Sequence, residues 1–557
     1  MKVSDYIAER LKKETGVIFG YQGSSISHLI DSICEKGIQY VQNYHEQASA
    51  FSACGYAESS GNLGVAISCS GPGATNLLTG IANSYYDSLP CLFICGQVST
   101  HEMRDNHARQ NGFQETKIIE IVKPITKYCV EVTRAEEIQQ ELEKCICIAK
   151  EKRQGPVLLS IPHNVQTSQI TLSNNVVLSE KKDIALELVE VTQVIEESKR
   201  PLLLIGGGAR GLFENENFLK FLDYYPIPYV ASLKGLNHVD FEGNYQGMVG
   251  VYGNREANLA VYQCDLLITI GSRMDGRQTG GIRENFAPNA KIIHVDCDQN
   301  ELNRDVMADY PICCESDCFF SQLFPVLSKN KHEYRNWKSV LKVIKEHSIY
   351  DSDNKQATPY NFVEYISNLF INTKVVVSAD VGQNQMWVAQ KIKMSKDSSF
   401  ITSGGHGSMG YSLPASVGAW YSSKPELVVS YMGDGGFQMN IQELETLKRE
   451  NIPATVIVFV NNGLGLIRDY QSKALGGRYN GSVTGFSVPS LNKIAAAYEM
   501  EYINADSDFS EITKDKLYGK RTLIEVPVVQ DSVIIPELAY KRPIYDQQPF
   551  IDLSFLN

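Results

Sequence analysis

Short apolar runs that stop at glycine recur along the chain, and the segments between them carry apolar positions at helical spacing. Residues 428–432 (VVSYM) form one such run. It ends in Gly433-Asp434-Gly435-Gly436, a segment with Ile441, Leu444 and Leu447 three apart follows, and a second run at 455–460 ends in Asn461-Asn462-Gly463. The pattern predicts strand, helix and strand, a βαβ unit with polar groups at both strand ends. Earlier, an apolar run at 17–19 leads into Gly20-Tyr21-Gln22-Gly23-Ser24-Ser25. A helix is expected near 26–35, a strand at 40–42, a helix opening at His45 with Ala50, Ala53 and Ala57 on its face, and a strand at 64–68 ending in Ser70-Gly71-Pro72-Gly73-Ala74-Thr75-Asn76. Runs at 201–205 and 375–378 lead into Gly206-Gly207-Gly208-Ala209-Arg210 and Ala379-Asp380-Val381-Gly382-Gln383-Asn384. The fold class is therefore α/β: three doubly wound parallel-sheet domains at 1–167, 184–327 and 358–530, then an irregular tail at 531–557 that folds over the site. Residues 167–183 read as a polar linker, and 328–357 as a helical one with a solvated charged face.

A length of 557 residues suits three domains of ordinary size. The net charge of −12 argues against nucleic acid, whose phosphates need a basic face. The start, MKVSDYIAERLKKETG, lacks the apolar core of a signal peptide, and no window approaches the roughly 18 apolar residues of a membrane span. A cytoplasmic enzyme acting on small molecules, with no membrane partner, is the expectation. The 13 cysteines show no repeated spacing, and Cys313, Cys314 and Cys318 lack the second pair and histidines of a zinc site, so reduced thiols are expected.

In an open parallel sheet the carboxyl ends of the strands share one crevice, so Asp434 and Asn461 can converge there. A carboxylate, an amide oxygen and a backbone carbonyl suit Mg²⁺, while glycines and a helix N-terminus suit a diphosphate. Gly-Asp-Gly alone is an ordinary turn; with Asn-Asn at this distance after a strand it is far more specific. Spacing leaves Asn461 and Asn462 both open as the metal ligand. The pair of motifs resembles that of the thiamine diphosphate-dependent decarboxylases and carboligases. YHEQASAFSACGYAESSG, SCSGPGATNLLTGIANSYYDSLPCLFICGQV, GPVLLSIPHNVQ and GMVGVYGNREANLAVYQCDLLITIGSRMDGRQTGG are similar to acetolactate synthases, and the resemblance covers almost the whole chain.

What the resemblance implies is specific at the cofactor. Thiamine diphosphate and Mg²⁺ would be held by Asp434, Asn461 and the carbonyl of Gly463, with Asn462 as the alternative. Gly382, Gln383 and Asn384 would hold the diphosphate, together with Gly433, Gly435 and Gly436. Pro72 and Gly73 would pack beside the aminopyrimidine, Gly407 would offer it a carbonyl, and Met409 would bend the cofactor between its rings. Gly23, Asn76, Leu464, Gly465 and Leu466 complete the cofactor-binding candidates. Glu46 is the catalytic candidate of the N-terminal domain. A carboxylic acid hydrogen-bonded to the far pyrimidine nitrogen favours the imino form, whose nitrogen takes the C2 proton. Its alternative is a helix-start glutamate stabilised by the dipole.

The acceptor side departs from the family. Residues 99–112 (STHEMRDNHARQNG) insert a polar loop before Phe113-Gln114-Glu115; a solvated surface loop is one reading, and the other is that its arginines and histidines, His101, Arg104, His107 and Arg109, would suit a polar or phosphorylated acceptor. Tyr470 stands where the family carries a tryptophan and Leu466 where it carries a methionine. His406 replaces a leucine, as a proton shuttle or as core packing. Gln114, His406 and Tyr470 join Glu46 as catalytic candidates. Arg277 is the substrate candidate, matching the arginine that positions the second substrate's carboxylate; a surface salt bridge is its other reading. The family's central domain binds FAD in a non-redox role while relatives of the same architecture lack it, so flavin stays open; Gly250, Gly253, Arg273, Arg277 and Thr279 match. In this superfamily Glu46 of one subunit meets Asp434 of another, which implies a homodimer or homotetramer. The expected reaction transfers a two-carbon unit from pyruvate to a carbonyl acceptor, with a keto-sugar nucleotide put first. Acetolactate synthase of branched-chain amino acid biosynthesis is the alternative, and a non-catalytic relative comes last.

Overall fold

The computed structural model describes residues 1–103, 109–172, 185–348, 358–506 and 508–556. Val- and Ile-rich runs become strands because helices cover both faces of each sheet, which lets a parallel strand be apolar throughout, as in Ala454–Val460 (ATVIVFV). The first sheet holds β1 (Val17–Gly20), β2 (Gln39–Gln42), β3 (Gly64–Ser68), β4 (Cys91–Gln97), β5 (Tyr128–Glu131) and β6 (Val157–Pro162), in the order β2-β1-β3-β4-β6-β5. The second holds β7 (Pro201–Ile205), β8 (Tyr229–Ala231), β9 (Tyr245–Met248), β10 (Leu266–Ile270), β11 (Lys291–Asp296) and β12 (Tyr310–Cys313), in the order β12-β11-β10-β7-β8-β9. The third holds β13 (Val375–Ala379), β14 (Ser399–Thr402), β15 (Leu427–Gly433), β16 (Ala454–Val460), β17 (Glu501–Asn504) and β18 (Arg521–Pro527), in the order β14-β13-β15-β16-β18-β17. The first and third sheets thus share one connectivity. The second has the doubly wound order of dinucleotide-binding folds, although its first glycine turn, GGGAR, lacks their fingerprint.

Outer sheets meet through two helices, Glu46–Ser60 and Ser412–Ser423, whose small residues let the backbones close up. A Cβ on Gly55 would lie 2.1 Å from the Ala415 carbonyl oxygen, and one on Gly418 would lie 1.8 Å from that of Ser52. The Glu46–Ser60 helix is therefore buried nearly all round, well beyond the alanine face expected of it. Three further expectations are amended. After β15 there are two helices, Asp434–Met439 and Glu443–Arg449, rather than one. The charged segment after 328 forms the helix Arg335–His347, which buries Trp337, Leu341 and Ile344 in the central domain's core and leaves its lysines outside. The tail forms a short antiparallel pair, Glu537–Leu538 with Gln547–Gln548, and docks on the central domain through Leu538 N–H to the Val251 carbonyl (2.8 Å) and Gln547 Nε2 to the Gly253 carbonyl (2.9 Å). Among the described residues no helix is long and apolar enough to cross a membrane, and the cysteines are free thiols. Arg104 and His107 of the inserted loop, and residues 173–183 of the linker, lie outside the described residues.

Candidate functional site

The polar groups expected to bind a cofactor stand in two clusters. In the third domain they line the carboxyl ends of β13 to β16. Asp434 opens its helix directly after β15 and is 1% exposed; its Oδ2 accepts the N–H groups of Asn461 (3.1 Å) and Asn462 (2.7 Å). Burial pushes its pKa up to about 6 in spite of those donors. A desolvated carboxylate of that kind gains from a nearby cation. The Asn461 side chain is buried and directs Nδ2 to Gln383 Oε1 at 3.4 Å, whereas Asn462, at φ 55°, is exposed with its carbonyl accepting from Gln530 Nε2 (3.2 Å). Close approach explains the glycine at 465, where a Cβ would sit 1.9 Å from Gln383 Oε1. Gly382 precedes the helix Gln383–Lys391, whose N-terminus faces the same crevice end, and Asn384 Nδ2 donates to the Asp380 carbonyl (2.8 Å). Met409 and Leu464 converge on Gly435, whose Cβ would lie 3.4 Å from Met409 Cε and 2.6 Å from Leu464 Cδ2. Gly407 has φ +70°, and Leu466 lies in the helix Gly465–Ala474.

In the first domain, Glu46 starts its helix 8% exposed, and Asn76 Nδ2 donates to its Oε2 at 3.0 Å. Gly73 lies against it, since a Cβ there would be 3.0 Å from Glu46 Oε1 and 2.7 Å from Cys69 Sγ; one on Gly23 would be 2.5 Å from Cys69 Cβ. Pro72 occupies the first turn of Pro72–Asn76. Gln114, at φ 66°, presses on Gly71, and Phe113 beside it is 86% exposed. Glu46, Gly23 and Gly73 therefore gather around Cys69, a thiol that sequence reasoning did not single out, with Asn76 joined through Glu46.

Three acceptor-side candidates, His406, Tyr470 and Arg277, are not brought into either cluster. His406 is exposed and stacks on Tyr86 (centroids 5.4 Å, planes 8° apart), which removes the core-packing reading. Tyr470 is 63% exposed on the Gly465–Ala474 helix. Arg277 is exposed on a one-turn helix capped by Asp275, whose Oδ1 accepts its N–H (2.9 Å), and lines a cavity of about 410 Å³ between the central domain and the other two. That cavity opens where the strand order reverses, between β7 and β10. Gly207, Gly208 and Gly271 form its floor, Lys234, Arg273 and Arg277 supply positive charge, and Asp296 stands at the end of β11. Glycine turns for a diphosphate, cations beside it and an acid one strand along for a ribose are a donor set that fits a dinucleotide.

Two groups escaped the sequence reading. Asp380 is a fully buried carboxylate at the end of β13, and Glu58 forms an ion pair with Lys234 deep between the domains. Both stand inside segments the sequence made visible, but their partners lie far off in the chain.

Sequence models of thiamine pyrophosphate enzymes match the chain three times: the N-terminal TPP binding domain over residues 1–121, the central domain over 188–323 and the C-terminal TPP binding domain over 380–526. The chain is 35% identical to the probable acetolactate synthase large subunit of Methanocaldococcus jannaschii, covering 96% of this chain and 92% of that one. It belongs to the thiamine pyrophosphate enzymes. Two other relatives of this enzyme are the acetolactate synthase large subunit of Lactococcus lactis (34% identical; 94% and 92% covered) and the isozyme 2 large subunit of Escherichia coli (33%; 89% and 90%). These likenesses favour the acetolactate synthase alternative over the keto-sugar nucleotide acceptor put first. Of the features that motivated that acceptor, Tyr470 is exposed, and half of the insertion's basic set lies outside the described residues.

Proposed function

We propose that this thiamine pyrophosphate enzyme joins a two-carbon unit from pyruvate to a second 2-oxo acid, as an acetolactate synthase does. The observation that carries the reading is likeness to acetolactate synthase large subunits across 89–96% of the chain, in all three domains. Thiamine diphosphate, when bound, supplies a thiazolium carbon that adds to the 2-oxo acid and accepts the electrons released with CO₂. The chain's own groups bind, orient and manage protons. Asp434, Asn461 and the Gly463 carbonyl would hold Mg²⁺, and the N-termini of Gln383–Lys391 and Asp434–Met439 would face the diphosphate. Glu46, steadied by Asn76, would hold a hydrogen bond to the pyrimidine ring with Gly73 alongside. Met409 and Leu464 would pack against the cofactor where they converge on Gly435. Arg277 would pair with the acceptor's carboxylate, and the central cavity would take FAD. The Glu46 and Asp434 clusters would face one another across a homodimer, alone or paired into a tetramer.

The test is proton NMR of the purified enzyme with thiamine diphosphate, Mg²⁺ and pyruvate as sole substrate. Acetolactate should accumulate. Loss of pyruvate to acetaldehyde without acetolactate would show that a different acceptor is used. Flavin has its own test: visible flavin absorbance on purification, or quenching of added FAD fluorescence, is expected, and a colourless folded protein that does neither removes FAD.

A further inference from the structure

Asp380 touches three loops that the cofactor reading treats separately. It directly follows β13, and its own N–H donates to the Tyr431 carbonyl on β15 (2.8 Å). Its Oδ2 accepts the Gly410 N–H at 3.0 Å and its Oδ1 accepts the Ser412 N–H at 3.1 Å, so both oxygens grip the segment that follows β14. Gly436, in the first turn after Asp434, lies so close that a Cβ there would be 1.9 Å from Oδ2. A carboxylate with 0% exposure, reached by neutral backbone donors rather than by a cation, is costly to bury and unnecessary for packing alone.

What it grips is informative. The segment from Gly407 to Gly410 bulges through two left-handed glycines, φ +70° and +78°, an arc with few bonds of its own. Its near end is tied by Ser408 N–H to Ser403 Oγ (2.9 Å), and its far end by Gly410 N–H to Asp380 and by Asn440 Nδ2 to the Gly410 carbonyl (2.9 Å). Met409 rides on this arc and meets Gly435, the residue after Asp434. We propose that Asp380 is a positioning residue that fixes the Gly407–Gly410 arc against the Asp434 helix, so that the cation end and the ring-bending end of the cofactor site keep one register. The inference rests on the thiamine reading of that site. The Asp380 side chain reaches the reaction through the arc and has no contact role with substrate; its carbonyl separately accepts from Asn384 Nδ2 (2.8 Å), which the side-chain variants below leave in place.

Asp380→Asn is the decisive variant. The amide nearly matches the carboxylate in shape but turns an N–H₂ toward either Gly410 or Ser412, opposing one of the two donors. In the full-length enzyme with thiamine diphosphate and Mg²⁺, kcat should fall at least about tenfold with KM for pyruvate changed less than about threefold, the split expected when positioning rather than binding is lost. The near-ultraviolet circular dichroism of the bound aminopyrimidine should change, and amide hydrogen exchange should rise at 407–412. If only thermal stability falls, with kcat, dichroism and exchange of the folded fraction at wild-type values, Asp380 is merely structural and the proposal is overturned. Where the Asn variant does not accumulate, Asp380→Glu, which keeps the charge on a longer arm, is read by the same criteria. A wild-type enzyme that binds no thiamine diphosphate would sink the cofactor reading itself, an outcome distinct from the variant behaving as wild type.

Discussion

Glu46 shows how much one hydrogen bond decides. A carboxyl group on a buried helix start is stabilised by the helix dipole whether or not it does chemistry. The Asn76 amide, at 3.0 Å from Oε2, fixes its rotamer, and Gly73 keeps the space beside Oε1 clear of a side chain. Glu46→Gln keeps that shape and removes the acid. Pyruvate consumption should fall about 10²- to 10⁴-fold, the usual range for a general acid–base group, with the melting temperature nearly unchanged. Activity within a few-fold of wild type would mean that Glu46 only caps its helix. Asp434→Asn makes a different demand: a neutral amide cannot balance a divalent cation, so Mg²⁺-supported binding of thiamine diphosphate, followed by fluorescence quenching, should weaken at least about tenfold. Equal affinity with and without Mg²⁺ in both proteins would refute the cation reading. Both residues were legible in the sequence because each opens a helix after a strand inside a dense motif. Asp380 stands in an equally visible stretch, yet its partners are backbone N–H groups some 30 residues away, which no local pattern announces.

At the scale of elements, alternation of apolar runs and glycine turns placed six strands of the terminal domains, those at 17–19, 40–42, 64–68, 375–378, 428–432 and 455–460, within a residue or so, because parallel strands are apolar on both faces. The other six were not singled out. Helix faces were harder to read. The Glu46–Ser60 helix is flanked on one side by its own sheet and on another by Ser412–Ser423, and nothing in its sequence states the second contact. Gly418 tests that contact. Alanine in a helix interior normally gains about 1 kcal/mol over glycine, whereas overpacking a core costs about 1–3 kcal/mol. Here the obstacle is a backbone carbonyl at 1.8 Å, which cannot rotate aside as a side chain would, so the cost should win. Gly418→Ala is expected to lower the melting temperature by several degrees, and an unchanged or raised value would show that the two helices stand further apart. A second unseen contact explains why the segment after 328 read as a linker: its buried side, Trp337, Leu341 and Ile344, is specified by the central domain's core.

All three domains meet at one junction, to which the first and central domains contribute charge and the third neutral hydrogen-bonding groups. Lys234 of the central domain pairs with Glu58 of the first, approaches Asp87 at 3.6 Å and donates to the Thr402 carbonyl of the third at 2.9 Å. Tyr411 OH donates to Glu58 Oε2 (2.9 Å), and Asp87 accepts the N–H groups of Gly404 (3.0 Å) and Gly405 (2.6 Å). Residues 176 apart in the chain meet there, which is why the junction was invisible in the sequence. His238 borders this cluster, and burial first, then the positive charges of Arg210 and Lys234, push its pKa down to about 3. The sign of the pH dependence follows from proton uptake. An unfolded histidine takes a proton below about pH 6.5, while the folded one stays neutral until about pH 3, so the unfolded chain binds more protons in between. Stability is therefore complete above pH 6.5 and is lost as pH falls through that window, by at most about 1.4 kcal/mol per pH unit from this group. Carboxylates titrate over the same range, so the informative quantity is a difference between proteins. His238→Gln keeps hydrogen-bonding capacity without a titrating ring, and its melting temperature should drop less than that of the wild type between about pH 7.5 and about pH 5. Parallel slopes for the two proteins would mean that the imidazole is already charged or solvated in the folded state, and that the junction is more open to water than its packing indicates.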